Sequence, residues 1–93
     1  MDAVKRDGTT NIRGWTLERG RLVRTEAFSN FQAALRWVNR VALLAEQRNH
    51  HPDIDIRWNR VTLTLMTHEA DGLTDRDWSW IQAAETQLVI DDR

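Results

Sequence analysis

Pro52 is the only proline in the 93 residues, and the period of the apolar residues changes across it. Before it, Phe31, Leu35, Val38, Val41, Ala42 and Ala45 recur at three- and four-residue spacing, the stripe of an α-helix. After it, Ile54, Ile56 and Trp58 alternate with Asp55 and Arg57, the pattern of a strand with one buried face. Proline pushes the residue before it out of the α region, so the helix must end ahead of His51, near Asn49. Its start is marked by Ser29-Asn30-Phe31-Gln32, which fits a capping box. Trp37 and Leu44 widen the apolar face and predict contact on a second side.

The rest of the chain supplies three strands and one more helix. Trp15 to Phe28 reads as a hairpin turning at Arg19-Gly20. Asn59-Arg60 is the expected turn of a second hairpin, whose return strand runs from Val61 to Thr67 with Val61, Leu63 and Leu65 on one face and Thr62, Thr64 and Met66 on the other. Residues 68–73 read as a loop. Thr74-Asp75-Arg76-Asp77 then forms a second capping box, followed by Trp78, Ile81, Ala84, Glu85 and Leu88 at helical spacing. The expected fold class is α+β: a ββαββα two-layer sandwich, a four-stranded antiparallel sheet with two helices on one face. Residues 1–14 read as a flexible lead-in and 15–90 as one domain.

Thirteen basic and 14 acidic residues give a net charge of -1, without a basic run. That argues against charge-driven nucleic-acid binding. Zero cysteines exclude disulfides and thiolate zinc sites. No stretch approaches the roughly 20 apolar residues of a membrane span, and a cytoplasmic protein is expected. Five tryptophans are many for so small a core. They fill it together, or some meet a second subunit.

All three histidines fall where elements meet. His50 and His51 lie between the first helix and its following strand, and His68 just beyond the return strand. A turn at Asn59-Arg60 puts position 51 opposite 68 and gathers the imidazoles at one end of the sheet. Imidazole, with an unperturbed pKa of about 6.5, donates and accepts protons near neutrality, which suits loss of a hydroxyl as water alongside removal of a proton. Glu46, four residues before His50, shares its helical face. Asp77 is expected beside His68 through the loop. A three-histidine zinc site is the rival chemistry, but adjacent residues on extended backbone point to opposite sides, so both bind one metal only if the chain kinks.

Glu46-x3-His50-His51-Pro52-x5-Trp58-x9-His68-x8-Asp77 resembles the signature of the pterin-4a-carbinolamine dehydratases, also known as dimerisation cofactors of a homeodomain transcription factor. The resemblance implies dehydration of 4a-hydroxytetrahydrobiopterin, a pterin small-molecule substrate, to the quinonoid dihydropterin, with no metal and no organic cofactor. It implies acid/base roles for His50 and His68, with Glu46 and Asp77 as supporting carboxylates, and substrate binding at His51, Pro52, Trp58 and Thr67. It further implies a homodimer or homotetramer, and protein partners for members that act as coactivators or assembly factors. Two departures stand out. The family's helix before the first strand has no counterpart in residues 1–14. Asp71 also replaces the first glycine of the loop His-x-x-Gly-Gly-Leu-Thr, a position that Asp tolerates better than most residues if φ is positive.

Overall fold

The structure is a computed structural model that describes residues 3–4 and 10–90. Its elements are β1 (Ala3–Val4), β2 (Thr10–Ile12), β3 (Trp15–Glu18), β4 (Arg21–Ala27), α1 (Phe31–Arg48), β5 (Asp53–Arg57), β6 (Arg60–Leu65) and α2 (Asp75–Gln87), with a single 3-10 turn at His68–Ala70. The strands form one antiparallel sheet in the order β1-β2-β3-β4-β6-β5, with both helices on one face. The α+β two-layer class is as expected. The strand count is six among the described residues rather than four, because the expected lead-in contributes β1 and β2. Asn11 pairs with Thr16 and Ile12 with Trp15, so residues 10–12 extend the sheet instead of trailing from it. Positions 1, 2 and 5–9 of that lead-in fall outside the described residues.

The first hairpin turns at Arg19-Gly20 as expected, both residues having positive φ. Leu22 then lies opposite Leu65 on β6, which runs between β4 and the edge strand β5. Trp15, Leu22, Val61, Leu63 and Leu65 from the sheet meet Trp37, Val41 and Leu44 of α1 and Trp80, Ile81 and Ala84 of α2 in one buried core. Three tryptophans therefore fill the core, while Trp58 and Trp78 reach the surface. Trp15 and Trp80 pack edge to face with centroids 5.9 Å apart. Burial of these aromatic and aliphatic side chains is the main driving force that holds the layers together.

Local details depart from the expectations for physical reasons. The cap of α1 is Asn30, not Ser29: its side chain accepts from the Ala33 amide at 2.8 Å. The buried stripe is Ala33, Ala34, Trp37, Val41, Leu44 and Ala45, rotated away from Phe31 and Ala42, which are exposed. The large Trp37 and Leu44 determine which face turns inward. In α2 the inward residue is Trp80 rather than Trp78.

The second hairpin turns at Trp58-Asn59, not Asn59-Arg60, because Arg57 pairs with Arg60. Asn59 is anchored from outside the hairpin. Its side-chain amide donates to the Phe28 carbonyl at 2.8 Å, and its own carbonyl accepts from the Phe28 amide at 2.9 Å. Trp58 is left in the left-handed region, with φ of 52°. Moving a turn by one residue shifts the pairing by two, so the alternation of faces survives. Val61, Leu63 and Leu65 still face the helices, and Thr62 and Thr64 the open side.

Candidate active site

Helix α1 stops in a Schellman-type end. Asn49 takes the left-handed conformation, its amide donates to Glu46, and the next amide, of His50, reaches back to the Ala45 carbonyl at 3.1 Å. The chain thereby turns sharply under the start of α2. Arg76 of α2 donates to the Asn49 carbonyl at 2.8 Å, and Trp80 Nε1 donates to the His50 carbonyl at 2.9 Å. Pro52, itself buried, immediately precedes β5. His50 is thus held by its backbone on both sides, with its ring 8% exposed.

That ring meets Asp77. His50 Nε2 lies 2.7 Å from Asp77 Oδ1, and Asp77 is fully buried. Asp77 is the third residue of α2 and closes the capping box with Thr74, as the sequence predicted. Its other oxygen, Oδ2, accepts from the Thr74 amide at 2.9 Å and from the Thr67 hydroxyl at 2.7 Å. A buried carboxylate at a helix N-terminus is favoured by the dipole as well as by these donors. A carboxylate offers only acceptor sites, so the His50 nitrogen facing it carries a proton. No hydrogen bond among the described residues reaches His50 Nδ1, and that atom is not sealed from solvent. The neutral ring therefore presents an open lone pair at Nδ1.

The second pair lies outside. His51 Nε2 is 2.5 Å from Glu46 Oε2, with the two side chains 53% and 76% exposed. The expected pairings are thus exchanged: Asp77 holds His50 rather than His68, and Glu46 holds His51 rather than His50. The αL residue Asn49 breaks the helical i,i+4 relation, turning His50 inward and bringing His51 back over the last turn of α1. His68 follows Thr67 directly, on the exposed 3-10 turn, and no hydrogen bond among the described residues engages its ring. Thr67 and Gly72 bridge across this turn, with the Thr67 amide donating to the Gly72 carbonyl at 2.8 Å. Asp71 sits at its end with φ of 50°, in the left-handed region.

His50, Thr67 and Asp77 therefore converge, with His68 and the His51–Glu46 pair at the same end of the sheet. Trp58 does not join them. It lies at the opposite end of β5, about 20 Å along the strand at roughly 3.3 Å per residue, and is 66% exposed. Thr67 is buried with its hydroxyl committed to Asp77 and Thr74, not presented to a ligand. Sequence reasoning missed Trp80, whose indole holds the His50 carbonyl. No local pattern signals such a contact 30 residues away. Two cavities of about 380 Å³ lie elsewhere, one lined by Phe28, Arg36 and Trp37, the other by Arg24, Ala84 and Leu88, and neither is lined by a histidine. The histidine–carboxylate groups form the better candidate site, because the two hollows bring together no such pair. Among the described residues no three of His, Asp and Glu gather as metal ligands.

Two helices on an antiparallel sheet, with one buried and one exposed histidine–carboxylate pair at its end, define a small α+β protein. The chain belongs to the pterin-4a-carbinolamine dehydratase family: the model of that family, described as Pterin 4 alpha carbinolamine dehydratase, matches residues 2–87. A relative from Thermomicrobium roseum, named provisionally as a pterin-4-alpha-carbinolamine dehydratase, is 59% identical over 66 residues, 71% of either chain. One of the same name from Roseiflexus castenholzii is 44% identical over 89 residues, covering 96% of this chain and 94% of the relative. A crystal structure of a transcriptional coactivator/pterin dehydratase from Brucella melitensis superposes with a TM-score of 0.73 at 29% identity, covering 82% of this chain and 83% of that one. No described helix is long and apolar enough to cross a membrane.

Proposed function

We propose that the chain dehydrates a 4a-hydroxytetrahydropterin to the quinonoid dihydropterin, in cytoplasmic tetrahydrobiopterin recycling. The observation that carries this reading is the His50–Asp77 pair, whose open Nδ1 lies at the same end of the sheet as the unengaged His68. In the reaction the C4a–O bond breaks, its oxygen leaving as water after receiving a proton. The N5–H proton is removed, and its electron pair becomes the C4a=N5 double bond. One imidazole of His50 and His68 supplies the first proton and the other takes the second, so solvent exchange restores both. Buried Asp77 steadies the charged form of His50. His51, oriented by Glu46, and the neighbouring Pro52 serve substrate binding.

The test is the dehydration rate of the purified protein beside His50→Ala and His68→Ala. Each substitution should lower the rate by about 10²–10⁴-fold. If the wild type runs no faster than buffer, the enzyme reading fails.

A second reading is a dehydratase-like module that binds a protein, or acts as a transcriptional coactivator, the role for which the Brucella protein is named. It is favoured by the exposed Trp58 and by Ile54 and Ile56, half-exposed on the outer strand β5. The same surface suits a homodimer or homotetramer. Sedimentation of the purified chain separates self-assembly from partner binding. Partner binding that survives loss of all three histidines favours the module.

A further inference from the structure

Thr67 stands in line with the substrate-binding positions by sequence, yet its hydroxyl points inward. Counting hydrogens settles the direction of every bond around it. Asp77 Oδ2 accepts the Thr67 proton at 2.7 Å, because the carboxylate has none to give. The Thr67 hydroxyl has a single proton, so in the 2.7 Å contact between the two hydroxyls Thr74 is the donor and Thr67 the acceptor. Thr74 Oγ1 in turn accepts from the Arg76 amide at 3.3 Å. The result is a one-way chain of donation from the α2 backbone through Thr74 and Thr67 that ends on Asp77, whose other oxygen accepts from His50 Nε2. The side chains of Thr74, Thr67, Asp77 and His50 in it are buried or half-buried, and each donor has an acceptor.

We propose that Thr67 is a positioning residue: its hydroxyl, oriented by Thr74, fixes the Asp77 carboxylate so that His50 keeps its proton on Nε2 and exchanges protons with substrate through Nδ1. Without that hydroxyl, Oδ2 keeps only the Thr74 amide, and the carboxylate is held less firmly against rotation about its Cβ–Cγ bond. The Asp77–His50 bond then loosens and the ring samples both tautomers. A ring protonated at Nδ1 has no lone pair directed outward. The proposal deepens the dehydratase reading and rests on it for its kinetic test, whereas its spectroscopic test needs no substrate.

The experiment compares Thr67→Val, which keeps the shape and loses the hydroxyl, with Thr67→Ser, which keeps the hydroxyl. Long-range nitrogen–proton correlation spectra of the histidine rings report the His50 tautomer, and steady-state dehydration of a 4a-hydroxytetrahydropterin reports kcat and KM. Wild type and Thr67→Ser should show the Nε2–H tautomer, with kcat values within about threefold of one another. Thr67→Val should show a mixture, with kcat lower by about 10–10²-fold, the scale of a small misplacement of a catalytic group, and KM nearly unchanged. Three results overturn the proposal: Thr67→Val keeping both tautomer and kcat; Thr67→Ser failing as badly as Thr67→Val, which makes the role one of packing; or KM rising at constant kcat, which makes Thr67 a substrate contact. Should Thr67→Val not fold, Thr74→Gly removes the next hydroxyl at little loss of capping and must move the tautomer in the same direction, an unchanged spectrum overturning the proposal. A wild type without turnover sinks the dehydratase reading, and the tautomer comparison then decides this proposal alone.

Discussion

Replacing Asp77 by asparagine separates its charge from its shape. Asn keeps one acceptor oxygen and exchanges the other for an NH₂ donor. Two orientations are possible. If the NH₂ faces Thr67 and Thr74, it opposes a hydroxyl and the Thr74 amide, and that amide has no alternative to donating. If it faces His50, the ring nitrogen at that contact, now 2.7 Å from Oδ1, must become an acceptor. The second arrangement satisfies more groups, so the His50 proton moves to Nδ1, onto the atom that must hold an open lone pair. The rate should fall by roughly 10²–10⁴-fold, the range for losing a positioned acid/base group or its tautomer. Stability falls less. Three hydrogen bonds to a charged acceptor become neutral ones, each weaker by about 1 kcal/mol, partly offset by removal of a buried charge, for a net loss of about 1–3 kcal/mol. For a domain of this size that lowers Tm by about 5–20 °C. Asp77→Ala leaves the His50, Thr67 and Thr74 donors unpaired and should cost about 3–5 kcal/mol. Differential scanning calorimetry and stopped-flow dehydration measure the two effects. An Asp77→Asn protein that dehydrates within threefold of wild type refutes the tautomer argument, whatever its Tm.

His68→Ala should lower the dehydration rate yet shift Tm by less than a few degrees, because the exposed ring holds nothing else in place. His50→Ala should lower both, since it strands the Asp77 carboxylate; thermal melts of the two variants side by side check this. Trp80→Phe, which strips the His50 carbonyl of its donor, should destabilise by about 1–3 kcal/mol, and more than Trp15→Phe does, because Trp15 Nε1 is buried without a partner among the described residues. Urea unfolding of both variants tests the contrast. Trp58→Asn should be neutral or stabilising by up to about 1 kcal/mol, since Asn tolerates the left-handed position better than Trp does. A loss above 1 kcal/mol in chemical denaturation contradicts it.

What was legible in the sequence was mostly local. The proline stop, the Arg19-Gly20 turn, the capping box from Thr74 to Asp77 and the left-handed Asp71 are all written within a few residues. The phase of α1 was not. Phe31, Leu35, Val38 and Leu43 put apolar groups around most of the helix, so only packing against the sheet selects the face of Trp37, Val41 and Leu44. The second turn was misplaced because Asn59 answers to Phe28, 31 positions away. The site was legible as a set of residues and not as a set of pairs. Seven of the eight gather at one end of the sheet, yet the partners of His50 and His51 follow from the αL residue Asn49, whose effect on the next two side chains no spacing rule contains. Trp58 belongs to the motif by spacing and to the far end of the hairpin by structure.

The central claim is that the pterin sits at the end of the sheet where His50 meets Asp77. A crystal structure with a non-reacting dihydropterin bound tests it most directly. The account predicts a ring nitrogen of the pterin within hydrogen-bond distance of His50 Nδ1, with His68 near its other side and the His50–Asp77 bond intact. A pterin bound instead in the hollow beside Phe28 and Trp37, away from every histidine, contradicts it.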